Sequence, residues 1–242
     1  MTQVSAEEIR RLKGLGFIKD KRYDDVFNVR VPLGYGRISS ETQRVIADAA
    51  DLFGNGMIAL TTRLTYEIQG VKYDKTGALR DYLNAHGLDS GGTGPKVRPV
   101  VACKGTVCQF GLIDTFSLGE KVHERFYKGM HDRMLPSKFK IGIGGCPNNC
   151  IKPELNDIGV RGNRVVIDGQ GVNCYVIYIG GHWGRQTGKG TLLNKNFMTE
   201  DEVLDMIEKI IDYYDQNGLK CERFAKTIER IGFENVQKAL IG

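Results

Sequence analysis

Two close pairs of cysteines are the residues of this chain whose type and spacing most directly indicate chemistry. Four residues separate Cys103 from Cys108, three separate Cys146 from Cys150, and 37 residues lie between the two pairs. Four thiolates brought together by the fold would select a soft metal, so an iron–sulfur cluster or a zinc ion is expected. The sequence therefore predicts one metal centre with these four cysteines as its ligands.

Disulfide bonds and a structural zinc site are the alternative interpretations of the same cysteines. The chain begins without an apolar signal segment and has two further single cysteines, Cys174 and Cys221. These features favour reduced thiols in the cytoplasm over disulfide bonds. We expect these two to be small buried hydrophobic residues. Short cysteine pairs also close zinc tetrahedra, so spacing alone leaves zinc and an iron–sulfur cluster open.

Glycines beside the second cysteine pair favour the larger ligand. Gly142, Gly144 and Gly145 precede Cys146, and Pro147 follows it. Without Cβ atoms the backbone can come close to a large group, and its N–H groups can hydrogen-bond the sulfurs of a cluster. Glycine also serves ordinary turns, so this loop by itself does not identify the metal.

Basic residues near predicted strands form a second chemical feature. Lys138 and Lys140 lie two apart on a predicted strand, so they share a face and Phe139 takes the other. Arg30 lies between two valines in an apolar strand context. A solvated surface charge is the usual state of a single lysine or arginine. The shared face of the two lysines instead favours a common purpose, such as contact with an anion.

The composition is typical of a globular protein with one substantial core or two small ones. The chain has 242 residues, of which 41% are hydrophobic and 26% charged. No stretch is long and apolar enough to span a bilayer, so no membrane partner is expected. The formal net charge of +5 is spread along the chain, and we expect no nucleic-acid partner.

Helical and strand patterns are interleaved along the chain and predict an α+β fold. Before residue 90 they predict a β-α-β-β-α half-domain of ferredoxin-like type, with strands at 26–31, 57–62 and 64–69 and helices at 40–54 and 75–86. Glycine and proline cluster at 89–95 and predict a linker. Beyond it we expect helices at 112–127 and 199–214 and strands at 98–102, 139–143, 165–168 and 175–179. The predicted division is a half-domain at 1–90, an α/β domain at 91–198 and a C-terminal helical segment at 199–242.

Several strings in this sequence resemble, in the same order, the sulfite and nitrite reductase family. They are Val29-Arg30-Val31-Pro32, Leu60-Thr61-Thr62-Arg63, Ala102-Cys103 to Cys108, Leu135 to Lys140, Gly145-Cys146-Pro147-Asn148-Asn149-Cys150 and Glu222-Arg223-Phe224. The resemblance covers most of the chain. It implies a ferredoxin-like half-domain followed by an α/β domain that binds sirohaem and a [4Fe-4S] cluster, and the six-electron reduction of sulfite or nitrite.

The resemblance also implies roles for individual residues. The four cysteines would hold the cluster, and Cys150 would bridge the cluster and the haem iron. Lysines and arginines suit anionic substrates and carboxylates, and those implied on the substrate side are Arg30, Arg98, Lys138 and Lys140. The residues implied to bind the cofactors are Arg63, Asn148, Asn149, His182 and Arg185. An ordinary β-turn is the alternative for the loop 180–190, which contains the last two.

The chain departs from the family pattern in two respects. The first cysteine pair has four intervening residues where the family commonly has five, and each motif occurs once where large family members have two copies. In two-copy enzymes the basic run of one copy meets the cysteine motif of the other. We therefore expect a homodimer or a higher homo-oligomer, in which Lys138, Lys140 and Arg30 come from the partner of the subunit that holds the cysteines.

Three functions of different classes are compatible with the sequence. The favoured one is sirohaem-dependent reduction of sulfite, with nitrite as the alternative substrate. The others are a [4Fe-4S] electron carrier or sensor and a zinc-stabilised binding module. The chain has no glycine-rich dinucleotide fingerprint and no second cysteine set, so we expect an external, ferredoxin-like protein to donate the electrons.

Overall fold

A computed structural model describes residues 4–242, and the chain divides into two compact units, Met1–Gly94 and Pro95–Gly242. In its described residues, 4–94, the first unit contains a four-stranded antiparallel sheet in the order β1-β2-β4-β3 and three α-helices. Its elements are α1 (Ala6–Gly14), β1 (Phe17–Lys19), β2 (Val26–Val31), α2 (Ser40–Phe53), β3 (Ile58–Leu60), β4 (Tyr66–Lys72) and α3 (Thr76–Ala85).

The core of the first unit follows from alternation in β2 and helical spacing in α2 and α3. Phe27, Val29 and Val31 are buried and the residues between them are not, which is the period expected of a strand with one covered face. They join a buried cluster with Ile46 of α2 and Leu83 of α3, among others. Arg30 alternates with these residues along β2, so it lies on the face of the sheet opposite this core.

The second unit contains a five-stranded mixed sheet in the order β5-β6-β7-β8-β9. Strands β5, β6 and β7 are parallel to one another, and β8 and β9 continue the sheet antiparallel. The strands are β5 (Val101–Ala102), β6 (Ile141–Gly144), β7 (Ile158–Ile167), β8 (Gln170–Ile179) and β9 (Thr191–Phe197). The helices are α4 (Thr115–Val122), which continues as a π-helical turn (His123–Lys128), α5 (Glu200–Asn217), α6 (Phe224–Ile231) and α7 (Phe233–Ile241).

Helix α5 begins at a complete capping box and packs close to the start of β6. The side chain of Thr199 accepts a hydrogen bond from the Glu202 backbone, and the Glu202 carboxylate accepts one from the Thr199 backbone. Further along, the rings of Tyr214 and Phe224 both contact that of Phe139, with centroids 5.3 and 5.6 Å away. All three rings are fully buried, so this cluster ties α5 and α6 to the segment that leads into β6.

The predicted α+β class is confirmed, and several predicted elements differ in extent. Strand β7 begins at Ile158, seven residues before the predicted start, and strands β1 and β9 were not predicted. Cys174 is buried as expected, but the expectation for Cys221 is wrong, because it lies exposed in the turn between α5 and α6 with a φ of 66°. Among residues 4–242, no helix combines the length and the apolar character that a membrane crossing requires.

Candidate active site

Both cysteine pairs follow strands that run in the same direction, so the loops that contain the pairs begin at the same end of the strands. Cys103 comes directly after β5, and Cys146 comes two residues after β6. The two strands are parallel, with Ala102 opposite Ile143. The backbone N–H of Cys103 donates to the Ile143 carbonyl over 3.0 Å, which extends this pairing into the first loop. The two loops that contain the cysteine pairs, residues 103–112 and 145–150, are called the cysteine loops. They are therefore neighbours at the carboxyl ends of β5 and β6.

Direct hydrogen bonds join the two cysteine loops. The Gly145 N–H donates to the Cys103 sulfur over 3.1 Å, and the Gly145 carbonyl accepts from the Leu112 N–H over 2.9 Å. A Cβ atom placed on Gly145 would lie 2.8 Å from the Cα of Gly105. Only a residue without a side chain fits at this crossing, and the loop conformation places a backbone donor on the sulfur of a predicted ligand.

The four predicted ligands are free thiols in partly accessible positions. Cys103, Cys108 and Cys146 are half-buried and Cys150 is exposed. Within residues 4–242, no three side chains of His, Cys, Asp or Glu are grouped so that they could bind one metal ion. A [4Fe-4S] cluster takes one thiolate per iron, so its ligands need not converge on a single point. Free thiols, a glycine crossing and an N–H donor on sulfur fit the donor set of such a cluster.

The second cysteine loop is held in a compact turn by Asn149. This residue has a φ of 58°, its N–H donates to the Cys146 carbonyl over 3.2 Å, and its side-chain amide donates to the Glu154 carboxylate. Asn148, the other predicted cofactor residue of this loop, is exposed. Asn149 therefore shapes the turn from Cys146 to Cys150, whereas Asn148 faces solvent.

Three predicted substrate-side residues, Arg98, Lys138 and Lys140, lie together at the other end of β5 and β6. The Arg98 N–H donates to the Phe139 carbonyl over 2.7 Å, in an isolated bridge between Val97 and Phe139. Partial desolvation lowers the pKa of Lys138, and the positive charges of Arg223 and Arg98 lower it further. Strand β6 begins at Ile141, not at Phe139 as predicted, so Lys138 and Lys140 both precede it. The three cations are nevertheless grouped.

Beside this basic group of Arg98, Lys138 and Lys140 lie two charged residues to which sequence reasoning gave no site role, Asp157 and Arg223, although Arg223 stands in one of the motif strings. Asp157 is fully buried immediately before β7, and its carboxylate forms an ion pair of 2.9 Å with the Arg223 guanidinium. Burial raises the pKa of Asp157, and the charge of Arg223 opposes that rise. An aspartate at the start of a strongly apolar strand, Asp157-Ile158-Gly159-Val160, is the signal that could have identified it.

The cysteine loops and the basic group lie at opposite ends of one strand. Lys140 precedes β6 and Cys146 follows it, and β6 has four residues. Four residues of β-strand span about 13 Å. Within one copy of the second unit, the two sets of predicted site residues are therefore separated by the length of β6.

The first unit carries the predicted site residues Arg30 and Arg63. Arg30 lies opposite Glu67 in the pairing of β2 with β4, and its guanidinium forms an ion pair of 2.5 Å with that carboxylate. Its side chain is 21% exposed. Arg63 lies in the tight turn between β3 and β4, where its N–H donates to the Thr61 hydroxyl over 3.2 Å.

His182 and Arg185 lie in the predicted loop between β8 and β9. The backbone of His182 forms two hydrogen bonds of 2.9 Å with Gly188, which close the loop into a short hairpin. A Cβ atom on Gly188 would lie 2.6 Å from the imidazole ring, so the ring packs directly on this glycine. Arg185 is exposed at the tip.

Comparison with known families identifies the class of this chain. Residues 93–241 match the model of the nitrite and sulphite reductase 4Fe-4S domain, and residues 19–86 match that of the nitrite/sulfite reductase ferredoxin-like half domain. Together with the fold and the paired cysteine loops, these matches show that the chain belongs to the nitrite and sulfite reductase family. The resemblance inferred from the motifs is confirmed.

Individual relatives span both substrate classes. The chain is 29% identical to the coenzyme F420-dependent sulfite reductase of Methanocaldococcus jannaschii over 88% of its own length, and 31% identical to the nitrite reductase [NAD(P)H] of Bacillus subtilis over 90%. It covers 42% and 25% of those two proteins, which is less than half of either. The crystal structure of dissimilatory sulfite reductase I has the same fold, with a TM-score of 0.78 at 18% identity over 90% of this chain and 69% of that one. The family matches imply a [4Fe-4S] cluster and sirohaem as cofactors.

Proposed function

We propose that this chain reduces sulfite to sulfide at a sirohaem coupled to a [4Fe-4S] cluster, with nitrite as the alternative substrate. The observation that carries the proposal is the joined pair of cysteine loops, in which the Gly145 N–H donates to the Cys103 sulfur. A zinc-stabilised module would not need a separate group of cations. The grouping of Arg98, Lys138 and Lys140 supports an anionic substrate.

Each residue set has a distinct task in this reaction. The cofactors supply an iron that binds the oxyanion and a cluster that passes electrons one at a time. Bisulfite takes up six electrons and six protons and yields hydrosulfide and three waters. Lys138 and Lys140 would hold the anion and deliver protons to its oxygens, and Arg30 and Arg98 would stabilise the negative charge of the anion. The six electrons require an external donor protein, for which we propose a ferredoxin-like carrier.

Spectroscopy of protein purified without oxygen tests the proposal. We expect absorption bands of a reduced-porphyrin haem, about five irons per chain for one haem and one four-iron cluster, and a band shift when sulfite is added. Sulfide release with a chemical reductant then measures turnover, and nitrite in place of sulfite gives the substrate preference. Zinc in place of iron would contradict the proposal, and a cluster without haem would leave the electron-carrier alternative.

We also propose that each active site is shared between two copies of the chain. The support is the strand β6, which separates Lys140 from Cys146 within one copy. Mixing an inactive Cys146→Ser chain with an inactive Lys138→Met/Lys140→Met chain should restore activity, because some heterodimers then contain one intact site. Activity that stays at the sum of the two separate variants, in a mixture shown to exchange subunits, would contradict the shared site.

A further inference from the structure

One buried carboxylate joins three segments around the predicted substrate side. Asp157 accepts a hydrogen bond from the Lys140 N–H over 2.9 Å, and one nitrogen of Arg223 donates to both of its carboxylate oxygens, over 3.0 and 2.9 Å. Its backbone carbonyl accepts from the Gly180 N–H over 2.9 Å. Asp157 therefore ties the end of the basic segment, defined as residues 136–140, to the start of α6 and to the loop that contains His182.

The basic segment is anchored at both of its ends, with Lys138 between the anchors. At the other end, the carbonyl of Pro136 accepts from the Cys221 N–H over 2.9 Å. Cys221 and Arg223 both belong to the short connection between α5 and α6. That connection is fixed in turn by the Tyr214 hydroxyl, which donates to the Glu222 carbonyl over 2.5 Å. Besides the backbone bonds of Phe139 to residues 96 and 98, the segment around Lys138 is thus held by two links to one connection, one direct and one through Asp157.

The charges of this group depend on one another. Asp157 is fully buried, so an unpaired charge there would be costly, and Arg223 is the cation that pairs with it. Arg223 also acts on Lys138. Partial desolvation is the largest cause of the lowered pKa of the Lys138 amine, and the positive charge of Arg223 contributes more to it than that of Arg98 does. Loss of Arg223 would leave the Asp157 carboxylate with the hydrogen bond from the Lys140 N–H but without its ion-pair partner, which would favour its protonation.

We propose that Asp157 and Arg223 are positioning residues that hold Lys138 and Lys140 in the geometry for oxyanion binding. The proposal rests on the proposed function, since it assigns a purpose to a pair that contacts no predicted ligand of the cluster. The pair acts through the basic segment. Its loss should therefore weaken substrate binding in protein that is folded and loaded with cofactors, separately from the loss of stability that breaking a buried ion pair causes.

Substitution of Arg223, compared with a matched arginine elsewhere, tests this proposal. Arg133 is the control, because it is similarly exposed, 29% against 22%, and forms its ion pairs with Asp212 and Asp215 of α5. In cofactor-loaded protein, Arg223→Met should raise the Kd of sulfite, read from the band shift per haem, and its KM by at least about tenfold, because it misplaces the lysines. Arg223→Lys should recover most of the affinity, and Arg133→Met should leave both constants within about twofold of the wild type.

The readouts separate a positioning role from a structural one. If Arg223→Met does not fold, the double variant Asp157→Asn with Arg223→Gln replaces it, because it removes both charges without leaving one buried alone. Wild-type Kd and KM per haem in either variant, even with a lower Tm, would overturn the proposal. A wild-type protein whose spectrum does not respond to sulfite or nitrite would instead refute the proposed function, and this inference with it.

Discussion

Gly145 is the residue at which the two cysteine loops touch, so Gly145→Ala tests whether that contact assembles the metal centre. The added Cβ would lie 2.8 Å from the Cα of Gly105, whereas ordinary contact begins at 3.4 Å. The loops would have to separate by about 0.6 Å, and overpacking of this kind costs about 1–3 kcal/mol. Separation would also lengthen the hydrogen bond of 3.1 Å from the Gly145 N–H to the Cys103 sulfur.

We expect Gly145→Ala to hold less than about half of the wild-type cluster iron after anaerobic reconstitution, because both loops must supply ligands. Its Tm should fall by roughly 2–12 °C. Iron and acid-labile sulfide per chain, together with a thermal melt, measure both effects. Gly77→Ala is the control, since a Cβ on Gly77 meets no atom within 4 Å and alanine is favoured in a helix. A Gly145→Ala protein with full iron would refute the reasoning, whatever its Tm.

Three further predictions concern groups outside this crossing. Burial lowers the pKa of His123 to about 4 from 6.5, so the unfolded chain binds the proton more readily and the free energy of unfolding decreases as pH falls through that interval. In urea unfolding, His123→Phe should reduce this pH dependence by about 1–3 kcal/mol. An unchanged pH dependence would exclude His123 as its source. Thr199→Ala removes the α5 capping box and should cost about 1 kcal/mol, while Thr199→Asn, which keeps a cap, should cost less in the same assay. Cys146→Ser should lose cluster iron and Cys221→Ser should not, and equal iron in both would remove Cys146 from the ligand set.

Local signals account for the elements that the sequence predicted well. Helices α2, α3 and α5 have apolar spacing, and α2 and α5 also have capping residues at their starts, which in α5 form the capping box of Thr199 and Glu202. The predicted helix at 40–54 is capped by Ser39, whose hydroxyl accepts from the Thr42 N–H. Helix α4 begins three residues after the predicted start, since the Asp114 carboxylate accepts from the N–H groups of Phe116 and Ser117.

Tertiary pairing accounts for the strands that the sequence did not predict. The first part of β7 contains Gly159 and Gly162, which are typical of turns in isolation. A Cβ on Gly159 would lie 2.3 Å from the Pro153 carbonyl, so close backbone packing requires that glycine. Strand β9 is polar and mostly exposed, and its pairing with β8 makes it a strand. Neither feature has a local signature.

The candidate site shows the same division between local and distant signals. The cysteine pairs and the Lys138 and Lys140 spacing are short-range patterns, and they could be found without a structure. Arg223 contacts Asp157 across 66 residues of sequence, and neither residue stands in a pattern that indicates the other. Arg98 joins the lysines because of one backbone bridge to Phe139. Contacts of this kind depend on the fold of the whole second unit.

The length of β6 bears directly on the proposed sharing of active sites. A lysine neutralises an anion well only at short range, and at physiological salt the interaction of exposed charges is largely screened beyond about 8 Å. The basic group and the cysteine loops are separated by β6, about 13 Å of strand. Within one copy of the second unit, Lys138 and Lys140 would contribute little to an oxyanion bound beside the cysteine loops. If these lysines act on the substrate, a second copy that brings its basic group to the cysteine loops of the first is the arrangement that satisfies both sets of residues.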